Sequence, residues 1–441
     1  MGRRNVRAGA TSSKGVAVKS IWFHLMPYPA LPDDFTVEHR SVWVDIDPSL
    51  FEPHVAHRAY NAYIDELEHA ASCGFDGVGV NEHHANAYGL MPSPNLVAAA
   101  LARTCPDAAI VLLGDSVALY NPPLRVAEEV AMLDCITGGR VVAGFPVGTP
   151  MDTLFAYGQN PLTLRERYHE AVELILRAWT EPDVFTFNGR FNKLRYVNCW
   201  PRPVQQPRPP VWIPGGGSID TWEWCAREGH VYLYLSYFGY KAASATMRGF
   251  WERVRAAGRQ PNPYQAGFAQ FFAVADTEAE ARRLYREPAE YFFNRCLHVY
   301  PGFADPPGYK TTNTVRAGVE GMVERAARES AARAAEASKA SFFGKPGLTF
   351  DEMIDRGYII LGDPDQVAER MVEVATSLNV GHVMTLCHFG NMDRELTMHN
   401  TELMATKVLP QVRDLFDDEW DDHWWPRPLT PAERADAGTG A

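Results

Sequence analysis

A chain of 441 residues with 46% hydrophobic content can bury a large core, and its length suits one α/β domain with insertions. The formal net charge of −12 argues against nucleic acid or an anionic membrane as partner, since both need clustered Lys and Arg, and no apolar run reaches transmembrane length. Seven cysteines, odd in number and without a Cys-x-x-Cys spacing, predict reduced thiols in a cytoplasmic protein, with Cys73, Cys135 and Cys225 expected in the core.

Residues 1–19 carry Arg3, Arg4, Arg7 and Lys14 with no apolar run behind them, so they read as a flexible tail and not a signal or anchor. Ile21 to Met26 reads as a first strand, and Pro27 to Pro53 as a long Pro- and Asp-rich loop over the active face. Helical spacing from Ala56 to Cys73 leads into a short Val/Gly strand that ends at Asn81-Glu82-His83-His84. Ala108 to Leu119 and Val141 to Phe145 read as further strands. A helix opened by Pro122-Pro123 lies between them, and Thr163 with Glu166 gives a capping-box signature for the next helix. Asn188-Gly189 between aromatics predicts a hairpin. Strands are expected at Val211 to Ile213, Val231 to Leu235, Phe268 to Ala275 and His382 to Leu386, with a helix over Ile219 to Glu228. Between the last two strands, roughly Cys296 to Phe350, lies a long insertion of lid character that contains an Ala-rich helix near Val319 to Ala340. A last helix is expected from Arg394 to Phe416, followed by a tail over 417–441 whose Trp420, Trp424 and Trp425 would pack on a neighbour. Alternating strands and helices predict a parallel sheet.

Residues just past the carboxyl ends of parallel strands line the active face, which places Asn81, Glu82, His83 and His84 there. A histidine pair in that position reads equally well as a hydrogen-bond clamp. Adjacent extended residues point to opposite sides, so His83 and His84 do not share one ion, and no metal is expected. Gly215-Gly216-Gly217-Ser218 at a strand-to-helix turn would cradle a phosphate, although a plain turn explains three glycines as often. Trp22, Phe23, Tyr28, Tyr120, Phe145, Tyr237 and His388 would wall a pocket for an apolar molecule, with ordinary core as the alternative.

The block Gly74 to Asn95 closely resembles the bacterial luciferase-like flavin monooxygenases. The likeness continues through Arg125 to Glu129, Leu133-Asp134, Gly139-Arg140, Gly144, Arg165, Gly217 to Thr221 and Gly362-Asp363-Pro364. It implies a (β/α)8 TIM barrel over 20–416, carrying the lid insertion at about 296–350. It also implies two-component chemistry: reduced FMN from a separate flavin reductase and O2 give a flavin hydroperoxide that oxygenates a small, largely apolar organic substrate. A homodimer is the implied assembly. By the same resemblance His83 is the chief catalytic residue, Glu82 and His84 orient it, and Ser116, Arg165, Gly216, Gly217, Ser218 and Thr221 bind the cofactor. Three positions depart from the luciferase pattern: Val147 replaces a phosphate-contacting arginine, Pro146 an active-site cysteine and Gly217 a phosphate-site glutamate. These departures count against light emission and a long-chain aldehyde. The rivals are a deazaflavin-dependent oxidoreductase on the same barrel and a non-catalytic flavin-binding protein. With the resemblance set aside, a metal hydrolase using His84 and His388 remains.

Overall fold

The computed structural model describes residues 17–235, 238–319, 347–416 and 420–436. Residues 1–16 of the tail expected over 1–19, Tyr237 and the Ala-rich stretch from 320 onward lie outside the described residues, while Lys19 opens the first strand.

Eight parallel strands close into a ring: β1 (Lys19–Phe23), β2 (Gly77–Val80), β3 (Ala109–Leu112), β4 (Val141–Gly144), β7 (Val211–Gly215), β8 (Val231–Tyr234), β9 (Ala266–Val274) and β11 (His382–Leu386). Here β5 (Phe185–Asn188) and β6 (Lys193–Val197) form a separate antiparallel hairpin, and β10 (Ile359–Gly362) joins the sheet beside β9. Ring closure runs through β1, whose Ile21 pairs with Gly77 of β2 and with Met384 of β11. Helices cover the outside while side chains fill the inside, so most strands are buried on both faces. This is why they read as continuous apolar runs and not as alternating ones.

The strand Ile359–Gly362 was not expected from the sequence. It pairs with the second half of β9 (Phe271 to Val274), on the edge whose first half pairs with β8. Four residues wedged between an insertion and a helix start carry too little periodicity to be read as a strand. Asn160, and not Thr163, caps the helix Pro161–Thr180: its Oδ1 accepts from Leu162 N at 2.9 Å, and Pro161 takes the first helical position. The expected strand from Ala108 ends at Leu112, because the chain beyond must pass close under the end of β2. A Cβ on Gly114 would lie 2.1 Å from Glu82 N.

At the bottom of the barrel the segment expected as a tail folds back on its own chain. Trp424 O accepts from Trp212 Nε1 at 3.1 Å, and Trp425 stacks on His382 with ring centroids 5.8 Å apart. The Trp424 and Trp425 rings therefore cover the amino-terminal mouth of the ring and do not need a neighbour. Cys225 is buried as expected, but Cys73 is half-buried at a helix end and Cys135 is exposed.

Candidate active site

A cavity opens at the carboxyl ends of the strands, with about 1310 Å³ of empty space including its mouth. Its wall takes Asn81, Glu82 and His83 from the end of β2, and Gly114 and Ser116 from beyond β3. Pro146 to Pro150 come from beyond β4, and Gly215 to Ser218 with Thr221 come from the turn after β7. Arg165 enters from the helix Pro161–Thr180, Trp43 from the long loop after β1, and Ala304, Tyr309, Lys310 and Thr314 from the insertion.

His83 is held by a residue that sequence reasoning missed. Asp152 lies in the turn Met151–Ala156 and is 1% exposed. Its Oδ2 accepts from His83 Nδ1 (2.9 Å) and Thr149 Oγ1 (2.9 Å), and its Oδ1 accepts from His84 N (2.8 Å) and Trp43 Nε1 (3.1 Å). A carboxylate that accepts at Nδ1 places the ring proton there, so in the neutral ring Nε2 keeps its lone pair. Nε2 has no hydrogen-bond partner among the described residues, and the ring lines the cavity. Trp43 and Tyr88 meet the imidazole edge-on at 4.9 and 5.0 Å, fixing its plane. Only the long 69-residue separation hid Asp152; a buried Asp behind a strand-end His is the signal that could have found it.

Glu82 and His84 form a second pair. His84 Nε2 bonds Glu82 Oε1 at 2.8 Å, and Glu82 Oε2 accepts Ser116 N at 2.7 Å, tying the ends of β2 and β3 together. His84 does not line the cavity, and its Nδ1 lies 3.4 Å from the Tyr157 hydroxyl. Behind this pair Asn95 bridges Asp115 Oδ1 (3.1 Å) and Glu129 Oε2 (2.8 Å). Burial, reinforced by Glu82 and Glu129, pushes the Asp115 carboxyl well above the usual range.

Another part of the cavity wall presents polar atoms without partners. Ser218 is the residue before the helix Ile219–Glu228 and uses no side-chain cap, and Gly217 adopts φ +109, open to glycine without strain. Ser218 Oγ and Arg165 Nε are buried polar atoms without hydrogen-bond partners. Free hydroxyl and guanidinium donors at a helix amino terminus suit a phosphate monoester, so the residues present fit the phosphate of FMN.

Of the seven residues expected as a substrate wall, the six that are described lie elsewhere, Phe23 among them as buried core. Trp22 is core and donates to Thr401 Oγ1 at 3.1 Å, Phe145 is fully buried, and the Tyr28 hydroxyl donates to Leu50 O at 3.0 Å. Tyr120 sits beside the acidic group of Glu82 and Asp115. His388 belongs to a buried trio with His24 and Glu66, whose possible ligand atoms all lie within 4.8 Å of one another. Met26 N donates to His24 Nδ1 (2.8 Å), so the His24 proton is on Nε2 and donates to Glu66 Oε2 at 3.0 Å. His388 Nδ1 reaches the same oxygen at 2.9 Å. With its Nε2 protonated, His24 offers no lone pair to a cation, and the trio clamps β1 to the helix Pro53–Ser72 and to the loop after β11. Burial holds the His24 imidazole down at about 4. The Glu66 carboxyl, which burial alone would raise, is drawn down to about 2 by the two histidines. The aromatic wall of the cavity is instead Trp43, Tyr88 and Tyr309.

An eight-stranded parallel ring with histidine and carboxylate groups at its carboxyl-end cavity defines an enzyme of the (β/α)8 class. Residues 47–379 match the family described as luciferase-like monooxygenase, and the chain belongs to that family. The FMNH2-dependent dimethylsulfone monooxygenase of Pseudomonas putida is 26% identical over 86% of this chain and 91% of its own length. An uncharacterised protein of Sinorhizobium fredii is 33% identical over 38% of the chain and about half (49%) of that protein. The oxygenase component of the flavin-dependent trigonelline monooxygenase of Acinetobacter baylyi is 29% identical over 35% of the chain and 42% of that protein. Among solved structures, the oxygenating constituent of 3,6-diketocamphane monooxygenase from Pseudomonas putida, a complex with FMN, superposes with TM-score 0.65 at 17% identity, covering 90% of this chain and 99% of its own. An F420-dependent secondary alcohol dehydrogenase gives TM-score 0.57 at 16% identity, covering 90% of this chain and 99% of its own. No helix among the described residues is long and apolar enough to cross a membrane.

Proposed function

We propose that this chain is the oxygenase component of a two-component monooxygenase that takes reduced FMN from a separate flavin reductase and oxygenates a small, largely apolar organic molecule. The observation that carries this reading is one cavity with two unlike ends: an Asp152-held histidine at one, and unpaired phosphate donors on Arg165 and Ser218 at the other. When bound, reduced FMN supplies the electrons that activate oxygen; the protein supplies placement and a dry site. Arg165, Gly216, Gly217, Ser218 and Thr221 hold the phosphate, and Ser116, which lines the same cavity, contacts the cofactor. His83 Nε2 accepts or returns a proton beside the reacting oxygen, Asp152 fixes its tautomer, and Glu82 with His84 keeps the strand ends in register. Trp43, Tyr88 and Tyr309 close the site from water.

A named relative is the oxygenase component of a two-component system, which supports a flavin reductase as partner. The assembly is a homodimer, for which exposed Leu96, Met132 and Ile136 on the packed helices Pro94–Thr104 and Leu124–Thr137 supply apolar surface. Sedimentation of Met132→Glu should show monomers, and an undisturbed dimer would place the interface elsewhere.

The deazaflavin reading is the rival, since a structural neighbour uses F420. Anaerobic titration with photoreduced FMN and with reduced F420 separates the two by affinity. Supplying isotopic oxygen gas to the FMN-loaded protein and a panel of small organic molecules then tests the chemistry. Label should enter the product; tighter binding of reduced F420, or oxidised product without oxygen uptake, would overturn the proposal.

A further inference from the structure

The residues beyond β4 that line the cavity, Pro146 to Pro150 with Val147 among them, supply no cation. The insertion brings a cation to the same region. Its strand of chain from Asp305 to Thr314 is tied down at two points: the Tyr309 hydroxyl donates to Gly148 O, next to Val147, and Thr311 Oγ1 donates to Asp220 Oδ2. Asn313 Nδ2 adds a bond to Asp220 Oδ1 at 3.1 Å. Asp220 lies in the first turn of the helix whose amino terminus carries Ser218. Lys310 is therefore held between the turn beyond β4 and the helix that follows Ser218, and it lines the cavity together with Arg165, Ser218 and Thr314.

We propose that Lys310 is a phosphate ligand for the flavin, supplied by the insertion. This rests on the cradle reading above. The lysine ammonium presently pairs with Asp305 Oδ2 at 2.7 Å, but both side chains are about half exposed (46% and 53%). An ion pair so open to water contributes little and is readily exchanged for a phosphate dianion, which offers higher charge and three acceptor oxygens. Lysine serves such a site as a compact charge on a flexible stem, and the short Thr311 and Tyr309 anchors on either side keep that stem from leaving the rim. Thr314, whose Oγ1 lies 2.9 Å from Thr311 Oγ1, adds a hydroxyl to the same rim.

The test compares photoreduced FMN with photoreduced riboflavin, which lacks only the phosphate, by anaerobic quenching of tryptophan fluorescence in the full chain. Wild type should prefer FMN. Lys310→Gln should cut that preference by about tenfold and leave riboflavin affinity unchanged, as expected for loss of one charge-assisted contact. Lys310→Arg should keep the preference, and Asp305→Asn, which removes the competing carboxylate, should raise it by up to about fivefold. The proposal is overturned if Lys310→Gln leaves the preference intact while Arg165→Ala abolishes it, or if Lys310→Gln weakens both flavins equally, as a structural role would. A wild type without preference would remove the cradle itself and the inference with it.

Discussion

Asp152 Oδ2 and His83 Nδ1 stand 2.9 Å apart, joining the turn beyond β4 to the end of β2 inside the cavity wall. The bond sets which imidazole nitrogen faces the cavity, so in the proposed chemistry His83 is the proton carrier and Asp152 the residue that positions it. His83→Ala removes the proton carrier, and oxygenated product should fall by about a hundredfold or more while reduced flavin is still oxidised to release hydrogen peroxide. Asp152→Asn should lose less, about tenfold, and shift the pH profile of product formation, because an amide no longer enforces the Nδ1 proton. FMN affinity should change little in both. A His83→Ala enzyme with full oxygenation, or an Asp152→Asn enzyme with an unmoved pH profile, would contradict these roles.

Arg165 Nε is buried without a partner in the cavity wall. A charge-assisted contact to phosphate contributes about 1.5 to 3 kcal/mol, so Arg165→Ala should weaken FMN binding by about tenfold or more. Equilibrium titration reads this directly, and unchanged affinity would place the phosphate elsewhere.

Acid should unfold this protein through its histidines. Burial lowers His24 and His169 to about 4 and His230 and His382 to about 3, with Arg165 and Arg227 adding to the effect at His169. Between the ordinary imidazole value and those depressed ones, the unfolded chain binds protons that the folded chain refuses. Stability is then full above about pH 6.5 and falls as pH drops toward about 4. Asp115 and Asp134 act in the opposite sense, since burial raises both carboxyls and the folded state then binds protons the unfolded state lacks, but they are two groups against four. Urea midpoints measured from about pH 7.5 to 4 should decline steadily; a flat profile would refute the assignment.

The rim of the insertion touches the cavity at Ala304, Tyr309, Lys310 and Thr314, so occupancy should hold it closed. Trypsin should cut after Lys310 in the free protein and more slowly with reduced FMN present. Identical digestion with and without flavin would mean that the rim does not respond to the cavity.

Several features are legible in the chain itself because they rest on local chemistry. Apolar runs mark most of the ring strands. Pro122-Pro123 ahead of the helix Leu124–Thr137, the Gly138-Gly139 that ends it and the aromatics flanking Asn188-Gly189 mark boundaries through backbone constraints. The run Glu82-His83-His84 and the glycines before Ser218 sit where strands end, which is a matter of order along the chain. The partners of these groups are another matter. Asp152 meets His83 across 69 residues, Glu66 meets His388 across the width of the barrel wall, and Lys310 reaches the cavity on an excursion from another strand. Ring closure brings these together, and no spacing along the chain records it. The same closure decided which aromatics face the site. Trp22 and Phe145 look as suitable as Trp43 in the sequence, but Trp22 bonds Thr401 and Phe145 packs on Trp179 in the surrounding helices, which makes both core, whereas Trp43 on the loop above the strand ends is wall. Sequence chemistry by itself determined which groups could act; the tertiary structure decided which of them meet, because a hydrogen bond or a cavity depends on distance in space and a strand carries only its own periodicity.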